Sequence, residues 1–206
     1  MGARMNQLVK LLTGRFRQSR RKPDGERGQL ACRSVYQAIA SRSPESLKSG
    51  LGSLTFESDG RLLEGVYRLN WMEFVTAYGF NEHRIELIGK LKYLVNILVK
   101  SGCKRVILGG SLVTRAEHPR DFDGCFDERE VDSALIAGLE PALLIEETAD
   151  IHTLHNKYGG VLEPQRIIPS LGVTMVEILK YDSRTGMPKG VVSLELSPES
   201  PEFKGV

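Results

Sequence analysis

The sequence predicts an α/β protein of the α+β kind, a small mixed sheet flanked by helices, preceded by a basic helical extension. Three observations carry this. Short β-branched runs, KRVILGG and VVSLEL, punctuate the chain. Between Glu82 and Ser101 apolar residues recur at helical spacing. The charge is also divided unevenly: residues 1–49 hold eleven basic against three acidic side chains, +8, leaving −6 for the rest of a chain with net charge +2.

The extension is expected at residues 1–50 and the main domain at 51–206. Met5–Leu12 and Leu30–Ala40 show helical spacing around the polar run QSRRKPDGERG. An arm this basic suits RNA, DNA or an acidic partner, because neutralising phosphates releases counterions. Its arginines and serines also fit a transit segment or a plain solvated extension. SRSPESLKSGLGS, residues 41–53, has a linker's composition.

In the main domain, Asp59-Gly60 offers a tight turn between two short extended pieces. Asn70 stands three before Glu73, the spacing at which side chains reciprocally satisfy the free amides of a helix start. That helix should end at Gly79. The next, 82–101, is expected to bury Ile85, Ile88, Leu91, Leu94, Val95 and Leu98, with Gly102 as its stop. Trp71 reads as a core aromatic. KRVILGG and the segment from Asp121 to Phe126 read as strands, residues 131–139 and 146–158 as helices, and Gly159-Gly160 as a stop. Residues 172–181 fit strand or helix, 182–190 a turn, and VVSLEL a closing strand.

No run approaches the ~18 apolar residues that span a bilayer, so no membrane partner is expected and the cytoplasm is the default location. Cys32, Cys103 and Cys125 are odd in number and lack CxxC spacing, which argues against a disulfide framework or a structural zinc site. His152 and His155 lie three apart on an expected helix, but no third His or Cys completes a ligand set, so they read as helix-surface histidines. His118 precedes Pro119 within a loop, where it could touch a substrate or simply space the chain.

The chemistry concentrates in ILGGSLVTRAEHPRDFDG, residues 107–124. Glycine lets a polyphosphate approach main-chain N–H groups, and Ser111 adds a hydroxyl, with a helix dipole behind it if a helix begins there. Asp121 and Asp123, two apart in a strand, aim both carboxylates to one side, roughly 6–7 Å apart at Cα. Adjacent carboxylates repel unless a cation sits between them, and oxygen-only ligands favour Mg2+ or Mn2+.

Gly110-Ser111, nine intervening residues, then Asp121-Phe122-Asp123 resemble the glycine-serine and Asp-x-Asp signature of the DNA polymerase beta type nucleotidyltransferase superfamily. Over about Gly65 to Leu196, the blocks GVYRLNWMEFVTAYGFNEHR, GGSLVTRAEHPRDFDG, KYGGVLEP and RTGMPKGVVSLEL resemble a family of small bacterial proteins classed with these enzymes. The resemblance implies a nucleotidyltransferase core and a magnesium-dependent enzyme moving NMP from an NTP such as ATP to a hydroxyl on RNA or protein. It also allows a toxin–antitoxin or defence role, either as a toxin-like enzyme acting on tRNA ends or as an antitoxin-like enzyme modifying a partner toxin.

By the same carry-over, Gly109, Gly110 and Ser111 would cradle the nucleotide, and Asp121 and Asp123 would bind metal and serve catalysis. The superfamily's third carboxylate would be Glu195, whose strand puts Val192, Leu194 and Leu196 on the other face, with Glu177 as the alternative. Arg115 could clamp the triphosphate, and Lys189 is a further phosphate candidate. The other class is a nucleotide-sensing or nucleic-acid-binding protein on the same fold, which a missing third acid would produce.

Overall fold

The computed structural model describes residues 47–129, 131–145, 148–168, 172–182 and 185–204. The basic arm up to residue 46, with its two expected helices and Cys32, lies outside the described residues.

The chain is α+β, as its pattern predicts. Six strands form one mixed sheet: β1 (Leu47–Ser49), β2 (Val66–Leu69), β3 (Arg105–Gly109), β4 (Phe122–Phe126), β5 (Gly160–Pro164) and a last strand, Val191–Glu195. A two-stranded ribbon, β6 (Ile167–Ile168) with β7 (Val173–Thr174), stands apart, so the last strand is β8. The sheet order is β1-β2-β8-β3-β4-β5. β3 runs antiparallel to both its neighbours, β8 and β4, while β1 and β2, β2 and β8, and β4 and β5 pair in parallel.

Local signals place several elements where the sequence expects them. Glu57 accepts from the Gly60 amide at 2.9 Å and Phe56 bridges Leu62, forming the expected hairpin. Helix α1 (Trp71–Tyr78) starts with the capping box: Asn70 Oδ1 accepts from the Glu73 amide at 2.9 Å, and Glu73 Oε2 accepts from the Asn70 amide at 2.8 Å. Helix α2 (Glu82–Lys100) is capped by Asn81, with Glu82 in its first turn and Lys100 in its last, both complementing the helix dipole.

Two expectations here are corrected. Residues 47–49 form the edge strand β1 rather than linker, so the sheet begins before residue 50. Ile85 is not part of the buried stripe of α2: it is 57% exposed, and Arg84 is buried in its stead.

α3 (Ser133–Leu139) is capped by Asp132, and α4 (Thr148–Tyr158) leads directly into β5. The ambiguous segment resolves into both of its readings. Val173–Thr174 is strand, after which Thr174 and Glu177 form a second capping box that opens α5 (Met175–Leu179).

The sheet has two covered faces. Phe122, Phe126, Leu108, Val106, Val192 and Leu194 pack in one cluster with α1, α2 and α4, where Trp71 is buried as expected. Ile107, Cys125 and Val191 face the other way and are covered by Met175 and Leu179 of α5. Each large apolar side chain so buried contributes roughly 1.5–3 kcal/mol. Burial on both faces explains why Val191 and Ser193 are as hidden as Val192 and Leu194. Among the described residues no helix is long and apolar enough to cross a membrane.

Candidate functional site

β3 ends at Gly109, whose cross-strand partner in β4 is Asp123. The chain then turns through Gly110 at φ 67°, a left-handed conformation that side chains rarely adopt. A Cβ at Gly110 would lie 2.6 Å from Asp123 Oδ2, so the carboxylate rests directly against this glycine's backbone. The strand register and the bare glycine together bring loop and acid side by side.

Ser111 follows in a turn, not a helix: its carbonyl accepts from the Thr114 amide at 3.3 Å and from Thr114 Oγ1 at 2.8 Å. The expected helix dipole is therefore not available at Ser111. Its own hydroxyl is buried and has no hydrogen-bond partner among the described residues, which is costly for a group of this kind. Gly109 does not open towards a ligand either. Leu179 of α5 fills the space beside it, 2.9 Å from where a Cβ would stand, so Gly109 serves helix packing.

Asp121 lies one residue before β4, at the same end of the sheet, and is 30% exposed. His155 on α4 approaches it, Nε2 to Oδ2 at 3.7 Å. Nothing in the order of residues pairs them, since the contact depends on how α4 returns to the sheet.

Glu195 does not join this group. It pairs with Arg105 at the opposite end of β3, four residues and about 13 Å along the strand from the Asp123 position. There it meets Arg68 at 3.1 Å and accepts from Ser193 Oγ at 3.2 Å. Alternation does leave Glu195 exposed, but the register carries it to the wrong end. Glu177 is occupied as a capping residue, its Oε2 accepting from the Thr174 amide at 2.6 Å and from Thr174 Oγ1 at 2.9 Å. It stands two residues from both Met175 and Leu179, the buried side of α5, and so faces away from them. Beside Asp123 on β5 the partner is Val161.

Arg115 is exposed, with its guanidinium 4.3 Å from the centre of the Phe56 ring and its amide donating to Gly60 O at 2.9 Å. It thus ties the loop to the hairpin. Lys189 is buried, directly after the bridge between Tyr181 and Pro188.

A residue without an obvious motif organises the loop. Arg84, 0% exposed, donates from Nη1 to Ala116 O at 2.5 Å, from Nη2 to Leu112 O and from Nε to Tyr78 O. Burial lowers its pKa to about 10. The signal in the sequence was weak: a basic residue standing where α2 otherwise buries Leu87, Ile88 and Leu91.

Cys103 and Cys125 are free and buried, and burial raises their thiols to about 11 and about 12. They are inert core residues, not ligands. Among the described residues no three His, Cys, Asp or Glu side chains form a group able to hold a metal ion. Asp121 and Asp123 by themselves offer hard oxygen donors suited to a single magnesium ion. A cavity of about 250 Å³ opens at the far end of β4, between Phe126 and Arg166, away from these acids.

These features define an α+β protein in which a left-handed glycine turn meets a strand-borne acid at one end of a mixed sheet. The chain belongs to a family of unknown function, DUF6932, whose pattern matches residues 54–195. No curated protein and no solved structure matches it.

Proposed function

We propose that the protein is a magnesium-dependent nucleotidyltransferase that moves a nucleoside monophosphate from an NTP to a hydroxyl on RNA or protein. The observation that carries the reading is the seating of the Asp123 carboxylate against Gly110, which puts an acid and a left-handed glycine turn in contact. Ser111, with its buried hydroxyl in need of a partner, extends the same turn.

In the reaction the acceptor oxygen attacks the α-phosphorus, the bridging P–O bond to the β-phosphate breaks, and pyrophosphate leaves with that electron pair. The hydroxyl proton passes to solvent. Asp121 and Asp123 would hold the magnesium ion, which supplies charge neutralisation for the triphosphate. The turn at 110–111 would bring its main-chain amides to phosphate oxygens, so catalysis is mainly positioning and electrostatics, as phosphoryl transfer generally needs. An acceptor RNA would be drawn by the +8 arm, residues 1–49.

A second reading has its own support: Val161 stands beside Asp123 where a third acid would complete the set, which favours a nucleotide-sensing protein without turnover. Purified chain with labelled NTPs, magnesium, and either RNA or cell extract separates the two. Transfer that is lost in the Asp121→Asn, Asp123→Asn double variant supports the enzyme. Nucleotide binding without transfer supports the sensor, and neither binding nor transfer ends both.

A further inference from the structure

We infer that Arg84 is the positioning residue of the loop 110–116, holding its carbonyls from beneath and supplying the positive charge that a phosphate bound at the loop would face. The inference rests on the reading of that loop as a nucleotide site.

The first turn of α2 grips the loop at four carbonyls. Arg84 takes Leu112 O and Ala116 O, Asn81 Nδ2 donates to Glu117 O at 2.9 Å, and His83 Nε2 lies 2.7 Å from Pro119 O. Arg84 also binds Tyr78 O, which anchors it to the end of α1. A planar guanidinium with a fixed fork of donors can span carbonyls from separate chain segments, which a lysine ammonium cannot. The loop geometry that seats Gly110 beside Asp123 is therefore set partly from α2.

A fully buried cation is ordinarily matched by a carboxylate, because removing it from water is expensive. Among the described residues no carboxylate comes within ion-pair distance of Arg84. Its charged neighbour is another cation, Arg115, and its face is covered by the Phe80 ring at 4.6 Å. Carbonyl dipoles solvate the guanidinium but do not cancel its charge. The guanidinium thus stands under the loop with no carboxylate paired to it among the described residues, a charge that an anion on the loop would complement.

Arg84 does not touch the reacting atoms in this scheme, so the test separates geometry from charge. Full chains carrying Arg84→Lys or Arg84→Met are compared with the native chain in two measurements: amide hydrogen exchange without ligand, and affinity for Mg·ATP by calorimetry. In both variants exchange of amides 110–117 is expected to rise at least about tenfold while β5 keeps its protection. Affinity should fall about tenfold in the lysine variant and further in the methionine variant, with kcat in the transfer assay within about twofold for lysine.

Unchanged loop exchange in the lysine variant overturns the inference. So does a uniform loss of protection across loop and sheet, which marks general destabilisation, and so does equal affinity in all three chains. A native chain that binds no Mg·ATP overturns the nucleotide reading instead, and loop exchange alone then decides whether Arg84 holds the loop.

Discussion

The two ends of β3 keep their acids in different company. At the Arg105 end, Glu195 meets Arg68 at 3.1 Å, and Asp127 accepts from Arg105 Nη2 at 3.1 Å and from Arg129 Nε at 2.8 Å. The hydrogen bonds from Arg129 hold the Asp127 carboxyl at about 2. At the Gly109 end, Asp123 lies against bare glycine backbone, Asp121 faces a histidine, and the Ser111 hydroxyl is without a partner among the described residues. The Arg105 end gathers arginines around its acids, whereas the Gly109 end sets its acids beside a left-handed glycine turn. A buried polar atom without a partner among the described residues occurs at both ends, Arg105 Nε at one and Ser111 Oγ at the other, so the left-handed backbone of Gly110 is what sets the loop end apart.

The sharpest way to break this comparison is at the loop end. Asp123→Asn keeps the shape of the side chain and removes the charge, so transfer should fall by about a thousandfold or more, roughly 4 kcal/mol in the barrier. The melting temperature should stay within about 2 °C of native, as read by circular dichroism. Retained transfer with a folded variant would remove the acid from the mechanism. Next in size is Gly110→Ala, where a left-handed backbone and a Cβ 2.6 Å from a carboxylate oxygen should cost about 2 kcal/mol in urea unfolding. Gly89→Ala, in open space on α2, should instead stabilise by about 1 kcal/mol.

How much of this could be read from residue order follows from the range of each signal. The capping box at Asn70, the hairpin at Asp59-Gly60 and the strand KRVILGG depend on neighbours in the chain, and all appear as expected. The Gly-Gly-Ser turn beside the Asp-x-Asp strand was legible for the same reason. β5 was not, because Gly159-Gly160 reads as a helix stop and the glycine and proline at the two ends of the run read as breakers. β1 hid in linker-like composition, since an edge strand needs little apolar content. Glu195 shows the deeper limit: alternation gave its face, but only the pairing of β8 with β3 gives its height along the sheet. Arg84 and His155 belong to the same class, as both act on residues more than twenty-five positions away.

The other end of β3 yields smaller effects. Folding lowers the Asp127 pKa from 3.8 to about 2, so the unfolded chain holds that proton more tightly than the native one. Its contribution, present above the unfolded value, should be lost as pH falls from about 4 towards about 2. Because Arg129 is 78% exposed, solvent screening holds the amount to about 1 kcal/mol. Asp127→Asn should flatten the urea stability profile across that window, and an unchanged profile would show that the arginines contribute nothing there.

The smallest effect is the most discriminating. Glu195 and Arg68 are each more than two-fifths exposed, so Glu195→Gln should cost only about 0.5 kcal/mol. Transfer by that variant should stay within about twofold of native, since register puts this acid about 13 Å along the strand from Asp123. The contrast with Asp123→Asn, three orders of magnitude against none in one assay, measures the asymmetry of β3 directly. A Glu195→Gln chain that melts normally yet loses transfer would mean that the two ends act as one site, and that the strand pairing between Arg105 and Glu195 does not describe the chain in solution.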